Sequence, residues 1–132
     1  MPASTTPLAT QVVWVFLAGG LGATLRVTLA AWIDGRWAER VPFVGTLAVN
    51  MLGCFAIGVA ATLIPAGTAR TAVVGGLLGG FTTYSAFALF SHELLREAEL
   101  GTLALQVAGH LVIGVLCVAG GVALARALGG TA

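Results

Sequence analysis

Lysine is missing from this chain altogether, and all six basic residues are arginine. Acids are scarcer still, at five, and none precedes Asp34. Charged residues make up 8% of the sequence, where a water-soluble domain carries about a quarter. So little charge excludes a surface that water keeps dispersed, and a net charge of +1 excludes the basic footprint that nucleic-acid binding needs. No Ser/His/Asp, Cys/His or HExxH arrangement is present, so the chain offers no catalytic constellation and is read as no enzyme. The two cysteines, Cys54 and Cys117, sit in apolar runs and read as small apolar residues.

What the sequence does hold is apolar length and glycine: 58% hydrophobic residues and nineteen glycines in 132. Crossing the hydrocarbon of a bilayer takes about 20 apolar residues in a helix. Four runs qualify, at about 12–33, 42–64, 71–95 and 103–128, giving one all-α, four-helix transmembrane domain over 1–132. The first run is about twice the length of a signal-peptide core and reads as a retained span. Short connections favour antiparallel neighbours in a bundle. Orientation follows Arg and Lys in the loops. Arg36, Arg40 and Arg96 fall on one side against Arg70 and Arg126 on the other, a bias too small to choose between insertion both ways round and a single orientation. Glycine-rich surfaces at Gly19, Gly20, Gly22 and Ala23, and at Gly109, Gly114, Gly120 and Gly121, let backbones approach closely in lipid and favour an oligomer.

Polar groups inside a membrane are costly and therefore informative. Asn50 shares a helix face with Thr46 and Cys54, and its amide suits either an anion or a bond to a neighbouring helix. Arg26 lies within the first span and either snorkels to the interface or lines a wet vestibule that gathers anions. His110, alone in the fourth span, reads as hydrogen-bonded across helices rather than as a metal ligand. No carboxylate lies deep in a span where a proton-coupled transporter would use one.

The stretch "GLLGGFTTYSAF", Gly76 to Phe87, then interrupts the third span with the residues least suited to a plain anchor. Glycine weakens a helix by about 1 kcal/mol against alanine, and threonine diverts backbone bonds to its hydroxyl. Together Gly79, Gly80, Thr82 and Thr83 predict a break near the midplane, whose freed carbonyls must meet protein, water or an ion. Two opposed copies meeting there would offer an oxygen cluster suited to a small hard cation. Tyr84 and Phe87 share a face, with Phe81 and Phe90 extending the row. Such a row is either a packing stripe or a line of positive ring edges along an anion route. Ser85, Thr83 and Asn50 would add donors beside it.

The motifs "GGLGATLR" (19–26), "GTLAVNMLGCFAIG" (45–58) and "GLLGGFTTYSAF" (76–87), in that order and spacing, resemble the Fluc (CrcB-type) fluoride channels. The resemblance implies an antiparallel, dual-topology homodimer in the bacterial inner membrane, with two fluoride pores and a central structural Na⁺. It assigns the sodium to the backbone carbonyls of Gly79 and Thr82. It also assigns the pore to Asn50, Tyr84 and Phe87, with Ser85 and Thr83 beside them, and a vestibule role to Arg26. Flow would be passive export of cytoplasmic fluoride, conferring resistance. Two positions depart from the family's "TTFSTF": Tyr84 replaces a Phe, and Ala86 replaces a hydroxyl residue. A proton-coupled small multidrug exporter is the main alternative, and it lacks its first-helix carboxylate here. A non-conducting assembly subunit is the other.

Overall fold

The structure, a computed structural model, describes residues 6–129. Four helical stretches are long and apolar enough to cross a membrane. No strand occurs among the described residues. Helix α1 (Leu8–Trp37) starts directly behind Pro7, whose carbonyl accepts from the N–H groups of Thr10 and Gln11. Its 30 residues span about 45 Å, so it outruns the apolar core of a bilayer. Helix α2 (Val44–Leu63) follows a short turn. The Asp34 carboxylate accepts the Gly45 N–H at 2.8 Å, placing negative charge at the positive end of α2. Helix α2 stops where the sequence demands it: Pro65 forces Ile64 into an extended conformation (ψ 116°) and cannot itself continue the helix.

The third span comes in two pieces. Helix α3 covers residues 68–81, with a wider π-wound stretch at Thr71–Leu78. Thr82 (φ −87°, ψ 159°) and Thr83 (φ −147°, ψ 113°) are extended, and helix α4 (Tyr84–Arg96) begins after them. Helix α5 (Leu100–Ala127) carries its own π-wound turn at Gly109–Ile113, in the half that faces α4.

Helix α1 packs along α3, and α2 along the second half of α5. Both crossings run through glycine. A Cβ on Gly22 would strike the Leu77 carbonyl of α3, and one on Gly121 would strike the Phe55 carbonyl of α2. Gly76 and Gly80 meet α1 from the other side, and Gly58 meets α5. Gly19 stands in ordinary contact with Gly76, whereas Gly20 and Gly109 face open space. Little is enclosed. The buried residues include Val49, Ala60 and Ala125, together with the polar Thr46, Asn50, Thr62 and Gln106. Most large apolar side chains, among them Phe16, Leu52, Leu105 and Leu116, point outward, as a lipid or protein environment requires.

Candidate functional site

The site is built around the two extended threonines. Thr82 closes α3: its N–H and its hydroxyl both reach the Leu78 carbonyl at 3.0 Å. The Thr83 N–H would close the next helical bond, to Gly79, but turns away and donates to Asn50 Oδ1 at 2.8 Å. Asn50 Nδ2 donates back to the Thr83 carbonyl at 3.1 Å. One buried amide on α2 thus replaces the helix at the peptide where the helix stops. This arrangement releases the Gly79 carbonyl from its regular donor. The Thr82 carbonyl accepts no backbone hydrogen bond among the described residues.

Two further contacts fix the interruption. Arg26 Nε donates to the Gly80 carbonyl at 3.1 Å, so this cation of α1 sits at the negative end of α3. The Thr83 hydroxyl accepts the Ala86 N–H at 3.2 Å and caps α4. The hydroxyls of Thr83 and Ser85 share one hydrogen across 3.2 Å, which leaves one hydroxyl hydrogen between them for another partner. The Asn50 amide likewise keeps one N–H uncommitted. Gly53, one turn beyond Asn50, has no side chain because the Thr82 methyl occupies that space.

A groove of about 560 Å³ opens beside this junction. Asn50, Cys54, Gly79, Thr82, Thr83, Tyr84, Phe87 and His110 line it, with aliphatic side chains between them. Tyr84 is 78% exposed at its mouth. The Tyr84 and Phe87 rings lie 5.7 Å apart and tilted by 45°, and the Phe87 ring lies 4.6 Å from the His110 imidazole, tilted by 48°. The row therefore runs Tyr84, Phe87, His110. Phe81 faces the other way, onto α1 beside Leu25, Thr28, Leu29 and Trp32, and does not extend it.

His110 is not bonded across helices as expected. Its Nδ1 sits 3.0 Å from the Gln106 carbonyl, one turn back in its own helix. Since a carbonyl only accepts, Nδ1 carries the hydrogen and Nε2 is left without a partner. Gln106 escaped notice in the sequence, yet it is wholly buried between α4 and α5. Its Nε2 donates to the Phe87 carbonyl at 3.0 Å and to Ser91 Oγ at 3.1 Å. A single amide in a continuous apolar run has no periodicity to announce it.

No three His, Cys, Asp or Glu side chains converge on a metal position among the described residues. A cation here would have to be held by carbonyl oxygens, and those of Gly79 and Thr82 are the ones the interruption frees. Chemically, the groove combines amide and hydroxyl donors with aromatic rings, and no Asp, Glu, Lys or Arg side chain lines it. Such a surface can replace part of an anion's water without holding it as arginine would.

Residues 13–122 match the family described as CrcB-like protein, Camphor Resistance (CrcB). The chain is 36% identical over 113 residues to the fluoride-specific ion channel FluC of Acidobacterium capsulatum, covering 82% of this chain and 90% of that one. It is 34% identical to the protein of that name from Roseiflexus, over 89% and 98% of the two chains. The corresponding protein of Opitutus terrae is 39% identical over 80% and 84%.

Proposed function

Because the chain belongs to the CrcB-like family, we propose that it is a fluoride-selective ion channel, passing fluoride passively out of the cytoplasm and so conferring resistance. The observation that carries this reading is likeness to fluoride-specific channels over nearly the whole length of both partners. The groove supports it chemically. Fluoride is small and strongly hydrated, and the free N–H of Asn50, the one uncommitted hydrogen of Thr83 and Ser85, and the ring edges of Tyr84 and Phe87 replace its water in sequence. Width excludes larger halides. No step requires a carboxylate or a reaction.

The assembly belongs to the same proposal. An inverted second copy in a bacterial inner membrane would cover the open side of the groove and part of the outward apolar surface. The near-equal arginine count on the two sides agrees with such dual insertion. Where two copies meet at their threonine pairs, the carbonyls of Gly79 and Thr82 suit a structural Na⁺ in donor type. That ion would supply only electrostatic glue between protomers. Arg26, tied to α3 at Gly80, would keep a positive charge beside the interruption and raise local anion concentration.

Purified protein in liposomes tests the function. Fluoride efflux is expected with chloride efflux at background, and equal rates for the two ions would refute selectivity.

A further inference from the structure

Phe87 is held by α5 from two directions at once. From the backbone side, its carbonyl accepts the Gln106 side-chain amide at 3.0 Å and the Ser91 hydroxyl at 2.8 Å, and Gln106 also donates to that hydroxyl. From the ring side, Phe87 lies 4.6 Å from His110, whose orientation is set by a bond to the Gln106 main chain. Both constraints therefore originate at one residue. Gln106 is completely buried, and its side-chain oxygen has no partner. Burying a glutamine with an orphaned oxygen costs stability, and a leucine there would avoid that cost. The amide stands where an apolar residue would pack more cheaply, so its use lies in what its N–H groups hold.

We infer that Gln106 is a positioning residue for the anion path: its amide fixes the Phe87 carbonyl, and its main chain fixes the His110 imidazole against the Phe87 ring. The edge of that ring is thereby aimed along the groove. The inference rests on the channel reading for its effect on flux, but the geometry it asserts stands apart from conduction.

A carboxyl in place of the amide separates positioning from mere filling. In Gln106→Glu the side chain keeps its size. Protonated, it donates to the Phe87 carbonyl as the amide does; ionised, it turns a negative oxygen toward that carbonyl and loses the bond. Carboxyls in protein interiors titrate anywhere between about pH 4 and about pH 9. Fluoride efflux of the variant, divided by that of the native protein in the same buffer, is measured across that range with leak from protein-free vesicles subtracted. The ratio is expected to fall about tenfold from the acid to the alkaline end, as loss of a buried hydrogen bond implies. A ratio flat with pH would overturn the inference.

A second measurement needs no conduction. In protein carrying 4-fluorophenylalanine at its six phenylalanines, the ¹⁹F signal of Phe87 is assigned by its loss in Phe87→Leu. That signal should shift or split with pH in Gln106→Glu and stay single in the native chain. An invariant signal would overturn the positioning role. Absence of fluoride flux from the native protein, with the ¹⁹F response intact, would instead remove the channel reading and leave the positioning in place.

Discussion

At Thr83 the main chain gives its N–H to a side chain on another helix, and most of the local energetics follow from that exchange. Asn50 is bonded to both the N–H and the C=O of one residue, Thr83. Asn50→Leu leaves both part-buried groups without these partners, at about 1 kcal/mol for each, and a drop in the thermal unfolding midpoint in detergent is expected. Asn50→Asp keeps an acceptor for the Thr83 N–H but sets a second oxygen against the Thr83 carbonyl and puts negative charge on the proposed anion route. Fluoride efflux should fall by about tenfold or more, and unchanged flux would remove Asn50 from the path. A gain is available elsewhere. Ala98 (φ 58°) occupies the left-handed position that ends α4, with its own N–H bonded to Leu95 and that of Glu99 to Leu94. Glycine normally fills this place, as Gly129 (φ 90°) does after α5. Ala98→Gly should stabilise the protein by about 1 kcal/mol without touching flux, read as a raised unfolding midpoint.

Between elements, the decisive residues are those that are missing a side chain. Gly20 and Gly22 lie two apart on α1, yet only Gly22 abuts α3. Gly22→Ala must push two backbones apart and should cost about 1–3 kcal/mol or more, whereas Gly20→Ala should be neutral or slightly stabilising to the fold, a contrast readable by thermal unfolding. The sequence could state that these glycines bring backbones close, but not which of them faces a partner; that depends on the crossing angle. The four long apolar helices were legible for a simple reason, since length and composition carry that information directly. Pro65 marked the end of α2 just as plainly, whereas α1 starts at Leu8, ahead of the run expected from Val12. The site was legible only as a list of residue types. Asn50 stood out as a rare amide, but its partner is a peptide rather than a side chain, and no spacing encodes that. Arg26 was read as reaching for water or for an anion, and nothing in its spacing announced the bond from its Nε to the Gly80 carbonyl at the end of α3. Gly53 and Gln106 passed unseen because a small residue and a lone amide each look ordinary until Thr82 is folded against the one and α4 against the other.

Across the whole molecule, charge is too thinly spread to dictate how the chain enters a membrane. A single cysteine at Glu97, with Cys54 and Cys117 replaced by alanine, should react with an impermeant thiol reagent from both sides of the cell membrane. Removing Arg70 and Arg126 together leaves arginine on one side only and should make that labelling one-sided. Labelling from a single side in the unaltered background would count against dual insertion. The tethering of the threonine pair has a consequence at this scale too. Asn50 grips it from α2, and Arg26 grips the Gly80 carbonyl, two residues before it, from α1, so two separate helices tie down the irregular main chain inside the third span. Nothing there is free to swing as a door. Throughput in such a body is governed by the ion's own mobility rather than by any shape change. It should therefore rise only gently on warming, about as free diffusion does, and begin without delay once a gradient is imposed.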